Sequence, residues 1–130
     1  MLRAGLFAVS SLVALTAIAC GGTNSPTASV SSPYGVAGGH LGTPAMTIQA
    51  TDDDVFRPAT QKVTLGQIVE WQNAGSVTHN IVFADDATLG DPVLEGGGGV
   101  WQVKFSKAGI YQYSCTIHTG MVGMIVVSSG

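Results

Sequence analysis

Cys115, His118 and Met121 fall within seven residues of the stretch YSCTIHTGMVG, each separated from the next by two others. The whole chain has two cysteines and three histidines, so one of each beside a methionine is a concentrated use of scarce side chains. A thiolate, an imidazole and a thioether are the donors that a soft metal takes. A second histidine, His79, stands in VTHNIVF, where a turn feeds an apolar run.

Trigonal His₂Cys ligation with a weak methionine on the axis is the blue-copper arrangement. Here it would consist of His79, Cys115 and His118 with Met121. Each donor has a chemical reason to be present. The thiolate is soft and holds Cu(I), imidazole serves both oxidation states, and a distant thioether lets the two states share one geometry. Other readings stand beside this one. A single cysteine in a strand is often core packing, and Cys20 could pair with Cys115 only if the intervening chain folded back onto the site. Zinc takes Cys and His equally well, but a methionine serves it poorly and no carboxylate or second thiolate stands near the cluster. Met124 competes for the axial place, although its position beyond Gly123, inside an apolar run, suits the core.

These residues need a frame of strands. AMTIQA, QKVTL, IVEWQN, HNIVFA, VWQVKFS, GIYQYSC and GMIVVS are short, mostly alternating runs separated by turn residues such as Gly66-Gln67 and the Ala74-to-Thr78 stretch. DDATLGDPVLEGGGG between them is turn-rich. No helical period of useful length appears. The expected fold is all-β, a Greek-key two-sheet sandwich of seven to eight strands. Phe56, Trp71, Phe83, Trp101, Phe105, Tyr111 and Tyr113 supply much of its core. Tyr111 and Tyr113 are read as packing residues. TDDD (Asp52 to Asp54) and Asp85-Asp86 are read as solvated loop charge, with steering of a basic partner as the alternative.

The first nineteen residues are a targeting segment. MLRAGLFAVSSLVALTAIAC has one cation, Arg3, then an apolar run short for a membrane span, and ends in an A-x-A-like signal. AIAC resembles the lipobox of bacterial lipoproteins, which implies a lipid on Cys20. Ordinary cleavage would instead leave an exposed thiol, a liability in an oxidising compartment. Gly21 to Pro44 is rich in Gly, Ser, Thr and Pro and carries no Asp, Glu, Lys or Arg, so it reads as a flexible tether with His40 solvated inside it. The expected organisation is a signal peptide over 1–19, a lipidated cysteine and tether over 20–45, and one folded domain over 46–130. Charged residues make up 10% of the chain and the net charge is −3, which excludes a nucleic-acid partner.

The motifs resemble those of the cupredoxins, the small blue-copper carriers of the plastocyanin–amicyanin type, from about Met46 to Val127. VFRPATQKVTLGQIVEWQNAGSVTHNIVF follows their F-x-P, G-x-x-V-x-W-x-N and H-N-V-x-F pattern, and KAGIYQYSCTIHTGMVGMIVV their G-x-Y-x-Y-x-C, x-x-H and x-x-M-x-G pattern. The two-residue gap between His118 and Met121 is the short, amicyanin-like spacing. The resemblance implies one copper held by His79, Cys115, His118 and Met121. It also implies that Asn80 ties the ligand loops together, with Thr116 beside it in a supporting role. Ile117 departs from the proline usual between Cys and His, which restores a backbone N–H and loosens the loop.

The resemblance further implies single-electron transfer outside the cytoplasm between protein redox partners, and the expected carrier is a monomer held to the membrane through Cys20. Multicopper enzymes need several domains and more histidines, so no catalysis is expected. A copper carrier or buffer is the alternative, although the exposed Met/His-rich tracts common in such proteins are missing. His118 is the expected electron port, in a surface formed by Gly120, Met121, Val122 and the turn before His79.

Overall fold

The computed structural model describes residues 29–130. Ten strands form in chain order: β1 Val30–Ser32, β2 Gly35–Gly38, β3 Met46–Ala50, β4 Phe56–Arg57, β5 Thr60–Thr64, β6 Ile68–Asn73, β7 Val82–Phe83, β8 Gly99–Phe105, β9 Gly109–Ser114 and β10 Val122–Ser128. A 3₁₀ turn at Ala87–Leu89 interrupts the long β7–β8 connection. One sheet runs β1-β2-β8-β6-β3-β4 and the other β5-β10-β9-β7. Both are mixed, because β3 pairs parallel with β6 and β5 parallel with β10 while the other ladders are antiparallel. Together the strands make the expected all-β two-sheet sandwich, with ten strands among the described residues where seven to eight were expected.

Strand alternation decides what lies between the sheets. In β6, Val69, Trp71 and Asn73 point inward, and in β10 Ile125 and Val127 do. All seven aromatics expected in the core are buried. Trp71 is central, meeting Phe83 edge-on at 5.6 Å and Tyr113 at 5.2 Å between ring centroids. Phe56 adds an edge contact to Tyr113 at 4.9 Å. Such pairs contribute roughly 0.5–1.5 kcal/mol each beyond their burial. The cluster gives β9, and therefore the strand end that leads into Cys115, a rigid backing.

Two expectations need correction. The segment 21–44, expected to be tether throughout, contains the β1–β2 hairpin, whose second strand pairs antiparallel with β8. Low apolar content argues against folding, but this hairpin is held by main-chain pairing and by small residues. A side chain at Gly35 would meet the Lys104 carbonyl at 2.5 Å, so only glycine lets the backbones approach so closely. Tyr34 adds an edge contact with Tyr111 at 6.2 Å. Beyond β2, the buried Gln102 amide accepts N–H bonds from Leu41 at 2.6 Å and Gly42 at 3.1 Å. It donates to the Gly42 carbonyl at 3.1 Å and to Glu70 at 2.7 Å. All four of its hydrogen-bonding positions are used. The second correction concerns HNIVFA. Only Val82 and Phe83 form strand there, because His79 pairs instead with Leu94 in an isolated bridge.

Candidate metal centre

Each donor is set by a different local device. His79 follows the Ala74–Thr78 turn, and its N–H and carbonyl bond the Leu94 carbonyl and N–H at 3.1 and 2.6 Å. The Asn73 amide, at the end of β6, donates to the Val77 and Leu94 carbonyls at 2.7 and 2.9 Å. Asp52 holds the same turn from the opposite side, accepting N–H bonds from Ser76 at 2.8 Å and Val77 at 3.0 Å. Gly75 leaves room for this contact, since a Cβ on it would push the Asp52 carboxylate aside.

The second loop starts where β9 ends. Cys115 N–H donates to the Met121 carbonyl at 2.9 Å, and Met121 N–H to the His118 carbonyl at 3.4 Å, which closes the chain over these residues. Gly120 takes a φ of 88° with open space at its Cβ, the left-handed step this tight loop needs. Asn80 joins the two loops. Its Oδ1 accepts the Thr116 N–H and its Nδ2 donates to Thr116 Oγ1, both at 2.7 Å. That is the tie expected of Asn80, and Thr116 is its partner.

His79, Cys115 and His118 converge, with their donor atoms all within 4.8 Å of one another. His79 Nδ1 and His118 Nδ1 are 3.1 Å apart, and Cys115 Sγ is 3.9 and 3.7 Å from them. Two imidazole nitrogens facing each other share at most one proton, and a cation between them with a thiolate opposite satisfies all three lone-pair donors. The residues therefore fit a soft metal ion. His79 is fully buried and Cys115 nearly so, while 24% of the His118 side chain is exposed. Burial lowers the His79 pKa, and repulsion by His118 lowers it further, against the opposing pull of Asp54 and Asp52. A neutral imidazole is what a metal requires.

The other candidates separate cleanly. Met121 is buried within the ligand loop, so it does not belong to the exposed surface in which it was expected. Met124 lies on β10 opposite Gln112 and Thr60, half-buried on the outer face of its sheet and not in the core. His40 is exposed in the segment after β2, and Cys20 lies outside the described residues. The acidic turn is more than solvated charge, and through Asp54 it brings a carboxylate to the cluster, where the sequence reading expected none. Asp52 is a clamp on the His79 turn, Asp53 bonds Thr51 and Arg57, and Asp54 Oδ1 stands 3.6 Å from His118 Nδ1. The one sequence signal of this role is Gly75, a turn residue that leaves room for a neighbour, but nothing local says which neighbour.

The clamp has a pH signature. N–H bonds from Val77 and Ser76 hold the Asp52 carboxyl below its ordinary range. A depressed carboxyl contributes stability above its unfolded value, near 3.9, and loses it as pH falls through the lower folded value. Thermal melts of the metal-free protein should therefore fall as pH drops below about 4. In Asp52→Asn that part of the loss should flatten and the neutral-pH melting temperature should drop. An unchanged acid limb would show that Asp52 does not hold the turn.

Residues 44–128 match the family described as copper binding proteins, plastocyanin/azurin family. The chain is 38% identical over 84 residues to a chloroplastic plastocyanin of Tetradesmus obliquus, covering 56% of this chain and 58% of that protein. It is 30% identical over 76 residues to amicyanin-alpha of Methylorubrum extorquens, covering 55% and 63%. The chain thus spans about three fifths of the length of these two relatives. Among solved structures, the oxidised form of an amicyanin point mutant superposes with a TM-score of 0.60 at 25% identity, over 68% of this chain and 87% of that one. With the sandwich, the converging donors and the matched span in agreement, the chain belongs to the plastocyanin/azurin family of copper-binding proteins.

Proposed function

We propose that this protein is a single-electron carrier, not an enzyme, whose copper is held by His79, Cys115, His118 and Met121. The observation that carries the reading is the convergence of two imidazole Nδ1 atoms and one thiol sulfur, with one imidazole buried and the other at the surface. Copper supplies the one-electron couple. The chain supplies a donor set whose shape is held by the Asn80–Thr116 tie and the Leu94 bridge, so electron gain or loss demands little rearrangement. A protein that delivers copper needs a site that releases it, and this cross-tied pair of loops favours retention.

His118 is the port. Ile117 beside it is 50% exposed, Val122 at the end of its loop 60%, and Val93 next to the Leu94 bridge 45%. An apolar surface of small side chains suits brief docking with protein redox partners. Voltammetry of the copper-loaded protein should give one reversible one-electron wave. An irreversible wave, with copper lost on reduction, would favour copper delivery or buffering over electron transfer.

The domain is further proposed to act outside the cytoplasm as a monomer, anchored by a lipid on Cys20 after removal of residues 1–19. Val30 begins β1, so ten residue steps separate Cys20 from the folded domain. Even fully extended they reach about 35 Å, which keeps the start of β1 within that distance of the membrane surface. Cys20→Ser should move the protein from the membrane to the soluble fraction of cells without altering its copper spectrum. Equal partition of the two forms would point to ordinary cleavage after Ala19.

A further inference from the structure

Asp54 is the one residue other than glycine, among those described, with a positive φ, at 59°. It occupies the turn between β3 and β4, where its N–H donates to the Thr51 carbonyl at 3.0 Å and the Thr51 N–H to the Val55 carbonyl at 3.1 Å. Glycine fills a left-handed position with no steric cost, and aspartate only tolerates it. Turn geometry therefore permits the carboxylate without requiring it, and its surroundings give the charge a second role. Oδ1 stands 3.6 Å from His118 Nδ1, the ring atom that also faces His79 Nδ1 and Cys115 Sγ. Asp54 is not among the three residues whose donor atoms converge, so its charge lies outside the donor set, on the His118 side. Arg57 is taken by Asp53, and among the described residues Asp54 has no lysine or arginine partner.

We propose that Asp54 tunes the copper centre, its carboxylate favouring the more highly charged oxidised metal and so holding the reduction potential down. The inference rests on the reading above of a copper-holding electron carrier. An unpaired negative charge next to a ligating nitrogen interacts more strongly with Cu(II) than with Cu(I) through Coulomb attraction alone. The side chain is 48% exposed, so solvent weakens the effect without abolishing it. Asp54 acts through its charge beside His118 and need not bind the metal itself, which makes it a positioning and tuning residue.

The test is the reduction potential of the copper-loaded protein and its variants. Asp54→Asn keeps the side-chain shape and the tolerance for the left-handed turn while removing the charge. Asp54→Gly removes the charge and suits the turn better still, so it covers any failure of the first variant to fold. Both should bind Cu(I) about tenfold better relative to Cu(II), a rise of about 59 mV for one electron, with the blue absorption retained. Asp54→Glu, which keeps the charge, should shift the potential less. Asp53→Asn is the control, because Asp53 is 59% exposed and turned towards Arg57; its shift should be a small part of that in the Asp54 variants. A blue wild-type protein with no shift in either neutral Asp54 variant overturns the proposal and leaves the copper reading intact. An equal shift in Asp53→Asn also overturns it, because general surface charge would then be the cause. A wild-type protein that gives no blue colour with Cu(II) overturns the copper reading and this proposal with it.

Discussion

Cu(II) added to the purified protein should turn it intensely blue, a reductant should bleach it, and Cys115→Ser should abolish the colour while leaving the sandwich folded. The colour depends on a thiolate donating charge to the oxidised metal, and among the described residues Cys115 is the one cysteine. Its sulfur lies 3.7 Å from His118 Nδ1 and 3.9 Å from His79 Nδ1, close enough for all three to share one ion. Serine nearly matches cysteine in size, so the loop closed by the Cys115-to-Met121 hydrogen bond has no steric reason to open. Burying a hydroxyl costs about 1–3 kcal/mol where it finds no partner, against a typical total of about 5–15 kcal/mol for a domain. Loss of colour with retained far-ultraviolet dichroism is therefore the expected pair of results. A Cu(II)-loaded wild-type protein with only weak colour would remove the blue-copper assignment. Zinc binding as tight as copper, also without colour, would return the cluster to the zinc reading.

The sandwich was legible because its information is local. Alternation in IVEWQN places Val69 and Trp71 inward with no knowledge of the rest of the chain, and the aromatics of GIYQYSC identify themselves as core in the same way. The metal residues were legible for a related reason. Cys115, His118 and Met121 sit on one loop, and scarce residue types at regular spacing need no tertiary structure to be noticed. His79 was the harder assignment, because its closeness to Cys115 is a fact of the fold, and motif resemblance carried it.

Residues that act only through tertiary contact were hidden. Asp52 meets Ser76 and Val77 across about two dozen residues of chain, and a run of three aspartates carries no mark of which one is seated. Leu94, inside a segment that reads as surface loop, supplies the main-chain partner of His79. The β1–β2 hairpin was hidden because composition measures side-chain burial, whereas this hairpin depends on backbone pairing and on close approach at Gly35. Strand length failed at HNIVFA for a functional reason. The isolated bridge to Leu94 fixes the His79 backbone outside any regular ladder, and its ring faces Cys115 and His118.

Met121→Gln should lower the reduction potential by about 59 mV or more, one factor of ten in relative Cu(II) over Cu(I) affinity, and Met124→Gln should barely move it. The first effect follows from donor chemistry. An amide oxygen is harder than a thioether and favours the oxidised ion, and the axial ligand is the lever by which such sites set their potential. Met121 is 1% exposed and sits on the loop that Cys115 and His118 share, so a glutamine there stays beside the site and finds no ready access to water. If its amide remains partly unpaired, the metal-free variant should also be less stable, by about 1–3 kcal/mol. Met124 differs in every respect that matters. It is held in a regular ladder, with its N–H on the Ala59 carbonyl, and alternation with the inward Ile125 turns its side chain to the outer face of the sheet. Replacement there is a surface change, worth within about 0.5 kcal/mol. The two variants together identify the fourth donor. A potential that tracks Met124 and ignores Met121 would move the axial ligand to β10, and the loop from Cys115 to Met121 would then hold only two of the four donors.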